Sequence, residues 1–228
     1  MLTNHRHHHT AETSILRCRA ILFDMDGTLV DSTAVIHRTW KWWAEKHSLP
    51  LEPILAVERG RPNREVLQQF GPHLDIEEES RLFIAAEKSD TAGLTVIPGS
   101  YEVIRAARQG RWAIVTSAEK SLAEVRLKAA GLAMPEVLIT ADMIRHGKPD
   151  PECYLMAAQH LDVNPGECMV FEDSPSGLLS ARNAGMPVIA IGPFVSGHEA
   201  ATLCIRDFTE VSITSDAQGA FEIRVGKP

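Results

Sequence analysis

The stretch AILFDMDGTLVDS, residues 20–32, sets two carboxylates, Asp24 and Asp26, two positions apart just past the apolar run Ala20 to Phe23. Four consecutive apolar residues followed by Asp, Gly and Thr read as a short buried strand that ends in a turn. Alone, the pattern suits an ordinary strand-ending turn as well as it suits a site. What surrounds it decides between the two.

Downstream, STAVIHRTWKWWAEKH (32–47) spaces Val35, Ile36, Thr39, Trp40, Trp43 and Ala44 as one helical face, capped by Ser32 or Thr33. Further helices are expected at 63–70 and at 75–90, the latter opened by Asp75 and a run of glutamates that suit a helix N-terminus. No strand is expected in this block up to Val96, so it reads as an all-helical insertion. From residue 97 strands and helices alternate: helix 100–109, strand 112–117, helix 119–130, strand 136–140, helix 151–160, strand 168–173, helix 176–184 and strand 187–191. Short apolar strands separated by helices predict a parallel sheet covered on both faces, hence an α/β fold. Residues 210–225 read as a terminal hairpin turning near Asp216 to Gly219.

A chain of 228 residues can bury a sizeable core without staples. Its formal net charge of −7 argues against a general nucleic-acid or anionic-membrane surface. No apolar stretch approaches the ~20 residues of a membrane span, and residues 1–14 lack the apolar segment of a signal peptide. A cytoplasmic protein is therefore expected. Cys18, Cys153, Cys168 and Cys204 are scattered without metal-site spacing and read as thiols, while His5 to His9 belong to a tail expected to be disordered over 1–14.

Ligands of open parallel sheets bind outside the carboxyl ends of the strands. Those ends offer Asp24 and Asp26, then Thr116 and Ser117, then Glu172 and Asp173, with Lys148 in the HGKPDP loop (146–151) able to reach the same rim. Clustered carboxylates repel one another unless a hard cation or a positive side chain compensates, and Mg2+ takes a few carboxylates plus phosphate oxygens. The set suits a Mg2+-dependent phosphoryl-transfer site. In it Asp24 is the nucleophile and Asp26 the acid and base, while Thr116 and the amides near Gly27 and Ser117 hold phosphoryl oxygens. Lys148 compensates charge, and Asp173 binds metal with Glu172 nearby.

Together, DMDGTLVDS, VTSA, GKPDP and FEDSPSG resemble the four signature motifs of the haloacid dehalogenase superfamily, in order and over residues 20 to 192. The resemblance implies a Rossmann-like core with an inserted helical cap and Mg2+, carried by Asp24, Asp26 and Asp173. It matches Asp24 to the nucleophile, Asp26 to the acid/base, Thr116 to the phosphate-binding hydroxyl and Lys148 to the third-motif lysine. Asp26 separates the chain from dehalogenases proper.

More narrowly, the chain resembles bacterial sugar phosphatases with small helical caps. ERGRPNREVL (58–67) lies where that group sets a Gly-Arg or Gly-Lys pair against the substrate. Gly60 and Arg61 match the pair, Arg64 is a further candidate, and Arg59 stands where relatives often have histidine. The expected organisation is a core of residues 15–32 and 97–228 with a cap of 33–96. The expected reaction is Mg2+-dependent hydrolysis of a small phosphorylated sugar or polyol through an aspartyl-phosphate, by a monomer or weak homo-oligomer. A β-phosphoglucomutase-like mutase and a non-catalytic phosphate-ester binding protein are the alternatives.

Overall fold

The computed structural model describes residues 13–226, so the tail up to residue 12, with its histidine run, lies outside the described residues. The chain opens with β1 (Ser14–Cys18), β2 (Ala20–Phe23) and β3 (Val30–Asp31), followed by four helices: α1 (Thr33–Lys46), α2 (Leu51–Leu55), α3 (Asn63–Phe70) and α4 (Ile76–Ser89). After β4 (Thr95–Val96) come α5 (Ser100–Ala107), β5 (Arg111–Val115), α6 (Lys120–Ala129), β6 (Val137–Ile139) and α7 (Glu152–His160). The remainder is β7 (Cys168–Glu172), α8 (Pro175–Asn183), β8 (Val188–Ile191), β9 (Leu203–Ile205), β10 (Val211–Ser215) and β11 (Phe221–Val225).

Six strands form a parallel sheet in the order β6-β5-β2-β7-β8-β9, with Phe23 of β2 level with Ile114 of β5 and Phe171 of β7. The chain builds outward from β2 on one side and then returns to build outward on the other. Strand order therefore reverses at β2, and the crevice beyond its carboxyl end lies at the switch point where α/β sheets bind ligands. Side chains alternate between the two faces as the strand period of 2 requires. Ile21, Phe23, Ile114 and Phe171 meet Val103, Ile104, Leu122 and Leu127 of α5 and α6. On the other face Leu22, Ala113, Val115 and Val170 meet Tyr154, Ala157, Leu178 and Ala181 of α7 and α8.

The helical insertion has an apolar centre of its own. Trp40, Trp43, Ile54, Val66, Leu67 and Phe83 are fully buried together, with Trp40 4.3 Å from Phe83 between ring centroids. Burying such side chains contributes about 2–3 kcal/mol each, which holds together helices as short as α2 and α3 that would not persist alone. Trp42, on the opposite face of α1, is 40% exposed. At the polar edge of this centre, Glu79 accepts from Trp43 Nε1 (2.9 Å), Lys46 (2.9 Å) and His47 (3.0 Å). Burial would raise its carboxyl, but Lys46, His47 and Trp43 hold it below its ordinary value.

Several elements differ from the sequence expectation. A strand does occur before Val96: β4 pairs antiparallel with β3 (Val30 with Val96, Asp31 with Thr95), tying together the two chain segments that enter and leave the helices. Two-residue strands carry too little alternation to announce themselves. Strand β1 begins at Ser14, inside the segment expected to be tail, and joins β11 and β10 in a three-stranded antiparallel sheet. The expected hairpin stands as β10 and β11, its turn closed by Asp216 Oδ1, which accepts from the amides of Gln218 and Ala220. Helix α1 is capped by neither Ser32 nor Thr33 through its hydroxyl; Asp31 Oδ1 accepts from the Thr33 amide at 3.1 Å.

Candidate active site

Strand β2 delivers Asp24 to the switch point, and the turn that follows is tight because of Gly27. Its φ is +87°, and a Cβ there would stand 2.1 Å from Asp173 Oδ2, so only glycine lets the turn approach the end of β7. Lys148 reaches in from the loop before α7 and lies 2.6 Å from both Asp24 Oδ1 and Glu172 Oε1. All three of these side chains are buried.

Burial alone would pull the Lys148 ammonium down, yet Asp24 and Glu172 outweigh it and hold the group well above its ordinary value. Burial pushes Asp24 well up, with Lys148 opposing and Glu172 and Asp173 adding to the rise. Burial, helped by Glu172, lifts Asp173 to about 7 against the pull of Arg59. The pocket therefore holds more negative charge than Lys148 neutralises, and a cation relieves it.

Three carboxylates, Asp24, Glu172 and Asp173, each bring a ligand oxygen within 4.8 Å of the others. Their roles differ. Glu172 is spent on bracing: Oε1 takes Lys148 and Tyr154 (3.2 Å), and Oε2 takes the amide and hydroxyl of Ser174 (2.9 and 3.0 Å). Asp24 and Asp173 each keep an oxygen without a hydrogen bond among the described residues. A positive group already stands at Asp173, since Arg59 Nη1 donates to its Oδ2 at 2.7 Å while the guanidinium lies 4.0 Å above the Phe194 ring. This donor set and its stand-in cation fit a hard divalent metal. Asp26, expected among the metal residues, turns its carboxylate away to Arg126, and its main-chain carbonyl accepts none of the bonds of the turn.

Asp24, Asp26 and Thr116 face a cavity of about 510 Å³ whose other wall comes from the 55–61 loop and from α1 and α4. Thr116 is buried, its Oγ1 accepting from the Ala118 amide at 3.1 Å. Ser117 Oγ donates to the Gly60 carbonyl at 2.9 Å, which ties the sheet to that loop. Gly60 has φ +74°, and a Cβ on it would stand 2.2 Å from Ser174 Oγ, so this residue is fixed by close approach. Arg61 lines the cavity, but its guanidinium donates to Gln69 (2.9 Å) and Glu65 (3.5 Å). Arg64 does not join the site: it is exposed on α3 and paired with Glu77 at 2.6 Å.

Two residues that composition alone hides complete the wall. Arg126 of α6 is buried with Glu87 of α4, and it reaches Asp26 Oδ2 at 2.7 Å and Glu87 Oε1 at 2.6 Å. Each is a charged residue on an apolar helical stripe, Arg126 four positions after Leu122 and Glu87 four after Phe83, and that placement was the available signal.

Glu58 faces the same cavity, and burial pushes it up to about 7 from its ordinary 4.5, with Arg59 opposing and Glu87 and Asp26 adding to the rise. A carboxyl raised in this way keeps its proton in the folded state at pH values where the unfolded chain has lost it. The resulting stability is complete below pH 4.5 and is lost as pH rises through about 7. Denaturant titrations of wild type and Glu58→Gln should thus diverge by about 1–2 kcal/mol between pH 5 and pH 8, after discounting for the open side of the group. The wild type loses stability and the variant keeps it; parallel pH curves would refute the assignment.

An acidic centre at the switch point of a parallel sheet, beneath inserted helices, is the setting of an α/β enzyme. The chain belongs to the haloacid dehalogenase-like hydrolases, whose family model matches residues 18–185. It is 41% identical over 181 residues to hexitol phosphatase A of Escherichia coli (strain K12), covering 77% of this chain and 84% of that one. To validoxylamine A 7′-phosphate phosphatase of Streptomyces hygroscopicus subsp. limoneus it is 32% identical over 206 residues, covering 85% and 95%. The crystal structure of CbbY from Rhodobacter sphaeroides in complex with phosphate superposes with a TM-score of 0.74 at 25% identity, over 85% of this chain and 96% of that one. The protein is an enzyme of the sugar-phosphatase and β-phosphoglucomutase-like branch, with a helical cap. No described helix is long and apolar enough to cross a membrane.

Proposed function

We propose that the protein is a Mg2+-dependent phosphatase of small phosphorylated sugars or polyols, hexitol phosphates foremost, working through an aspartyl-phosphate on Asp24. The observation that carries the reading is the meeting of Asp24, Lys148 and Asp173 at the switch point, beneath a cavity roofed by the inserted helices. In this reading residues 33–96 act as a cap over a core made of 15–32 and 97–228. The names of the relatives point the same way: one is a hexitol phosphatase and another a validoxylamine A 7′-phosphate phosphatase.

In the first half-reaction an Asp24 oxygen forms a bond to phosphorus while the bond from phosphorus to the alcohol oxygen breaks, and Asp26 gives the departing oxygen a proton. In the second, Asp26 takes a proton from water, the water oxygen bonds phosphorus, and the bond to Asp24 breaks to release inorganic phosphate. Thr116 Oγ1, the Ser117 amide and the turn amides just before Gly27 bind phosphoryl oxygens, the Gly27 amide itself donating to the Val30 carbonyl at 2.8 Å. Lys148 aligns Asp24 and opposes the rise that burial imposes on its carboxyl. Asp24 and Asp173, through the oxygens they keep free, and the Asp26 carbonyl would hold Mg2+, which would supply charge compensation for the phosphoryl group.

Hydrolysis is favoured over a mutase by the charge of the cavity. Returning the phosphoryl group to a second hydroxyl requires the site to hold a doubly phosphorylated sugar, whose far phosphate needs a cation. The three arginines lining the cavity are all engaged: Arg59 by Asp173, Arg61 by Gln69 and Glu65, and Arg126 by Asp26 and Glu87. A neutral polyol body suits such a wall, with Glu58 ready to meet hydroxyls.

The test is phosphate release from a panel of hexitol, hexose, polyol and nucleotide monophosphates and sugar bisphosphates, with Mg2+ and with chelator. Release from a few hexitol or polyol monophosphates, reduced about 10³-fold or more by chelator, is expected. Isomerised sugar phosphate without free phosphate would establish the mutase, and no reaction of either kind would leave a binding protein.

A further inference from the structure

The acid/base carboxylate is not held by its own turn. Among the described residues Asp26 accepts one side-chain bond, from Arg126 Nη1 to Oδ2 at 2.7 Å, while its Oδ1 is buried and has no partner there. Arg126 lies on α6, 100 residues away in sequence, and almost none of its side chain meets solvent. Its Nη2 donates to Glu87 Oε1 at 2.6 Å, and the other oxygen of Glu87 accepts from Asn63 Nδ2 at 2.8 Å. One guanidinium thus spans the catalytic turn and helix α4, and Asn63 at the start of α3 fixes the far end of the chain of bonds.

A buried ion set of this kind is not explained by stability. Desolvating one guanidinium and two carboxylates costs several kcal/mol per ion, and apolar side chains of similar volume serve as well or better. The arrangement does achieve a geometric result. With Oδ2 tied to Arg126, itself tied to Glu87, the Asp26 carboxyl is held at the wall of the cavity that Asp24 and Thr116 also face, its Oδ1 enclosed by the protein.

Building on the phosphatase reading above, we infer that Arg126, anchored by Glu87 and Asn63, is the positioning residue that orients Asp26 toward the leaving oxygen. Arg126 acts through Asp26 and touches no reacting atom. Its contribution is confined to alcohols that need a proton to depart, because a leaving group that departs as a stable anion makes no use of Asp26 in the first half-reaction. A lysine cannot replace it, since an ammonium has no planar fork with which to grip two carboxylates at once.

The experiment compares wild type, Arg126→Lys and Glu87→Gln on a hexitol phosphate and on p-nitrophenyl phosphate, reading kcat/KM, which includes only steps up to departure of the alcohol. Circular dichroism and Mg2+ binding are recorded alongside. For Arg126→Lys we expect kcat/KM on the hexitol phosphate to fall about 10²-fold and on p-nitrophenyl phosphate by less than about 3-fold. Glu87→Gln keeps the guanidinium but loosens its anchor, and should shift the same ratio by about 3- to 10-fold. It carries the test if the lysine variant does not fold. An equal fall on both substrates, or none on either, overturns the inference while leaving the phosphatase reading intact. A wild type that cleaves neither substrate overturns both.

Discussion

Asp24→Asn should lower phosphate release by about 10⁵-fold while the folded protein survives. The two halves of this expectation have separate causes. An amide oxygen cannot form the acyl phosphate, so the covalent route is lost whatever else remains bound. Structurally the exchange is mild, because Asp24 sits where burial, Glu172 and Asp173 all resist its charge. Removing that charge loses the 2.6 Å ion pair with Lys148 but also lifts the desolvation cost, and Lys148 keeps Glu172 at 2.6 Å. A change in stability within about 1–2 kcal/mol is expected by denaturant titration. Retained steady turnover in the purified variant would refute the role of Asp24, and wholesale unfolding would refute the charge balance described for the pocket.

Lys148→Met is the opposite case, and should damage fold and activity together. The ammonium is 1% exposed and is the group that offsets Asp24 and Glu172. Removing it leaves two buried carboxylates facing each other, a change that typically costs about 3–5 kcal/mol. For a domain of this size that corresponds to a fall in Tm of about 10 °C. Lowering the pH should return part of the loss, because Asp24, already pushed well up by burial, then takes a proton in place of its counter-ion. A double variant, Lys148→Met with Glu172→Gln, should be more stable than the single one. Thermal melts of the three proteins at pH 5.5 and 7.5 check these relations, and identical melts for wild type and Lys148→Met would refute them.

Much of this was legible in the sequence for a local reason. The four stretches around Asp24, Thr116, Lys148 and Asp173 each join an apolar strand to a turn or loop, so the period of the strand and the position of its end can be read from a handful of neighbours. Parallel strands with helical crossovers then bring those ends to one rim without further information. The Asp75 cap of α4 and the hairpin of β10 and β11 were local in the same sense.

What stayed hidden depends on long-range partners or on elements too short to show a period. Strands β3 and β4 have two residues each, and β1 abuts a polar tail. Arg64 and Arg126 are alike as isolated arginines on helices, yet one is exposed beside Glu77 and the other is buried between Asp26 and Glu87. Only the apolar stripe on which Arg126 falls tells them apart. Glu172 reads as a spare metal carboxylate beside Asp173, whereas Lys148, Tyr154 and Ser174 use up both of its oxygens.

The proposed reaction turns on a covalent bond between phosphorus and Asp24. Protein mixed with a phosphate-labelled hexitol phosphate and Mg2+ can be quenched in acid during turnover, digested, and its peptides weighed and sequenced by mass spectrometry. One phosphoryl group is expected on the peptide containing Asp24, localised to that residue, absent with chelator and absent from Asp24→Asn. Steady phosphate release with no label on Asp24 at any quench time, and undiminished release by the Asn variant, would contradict it.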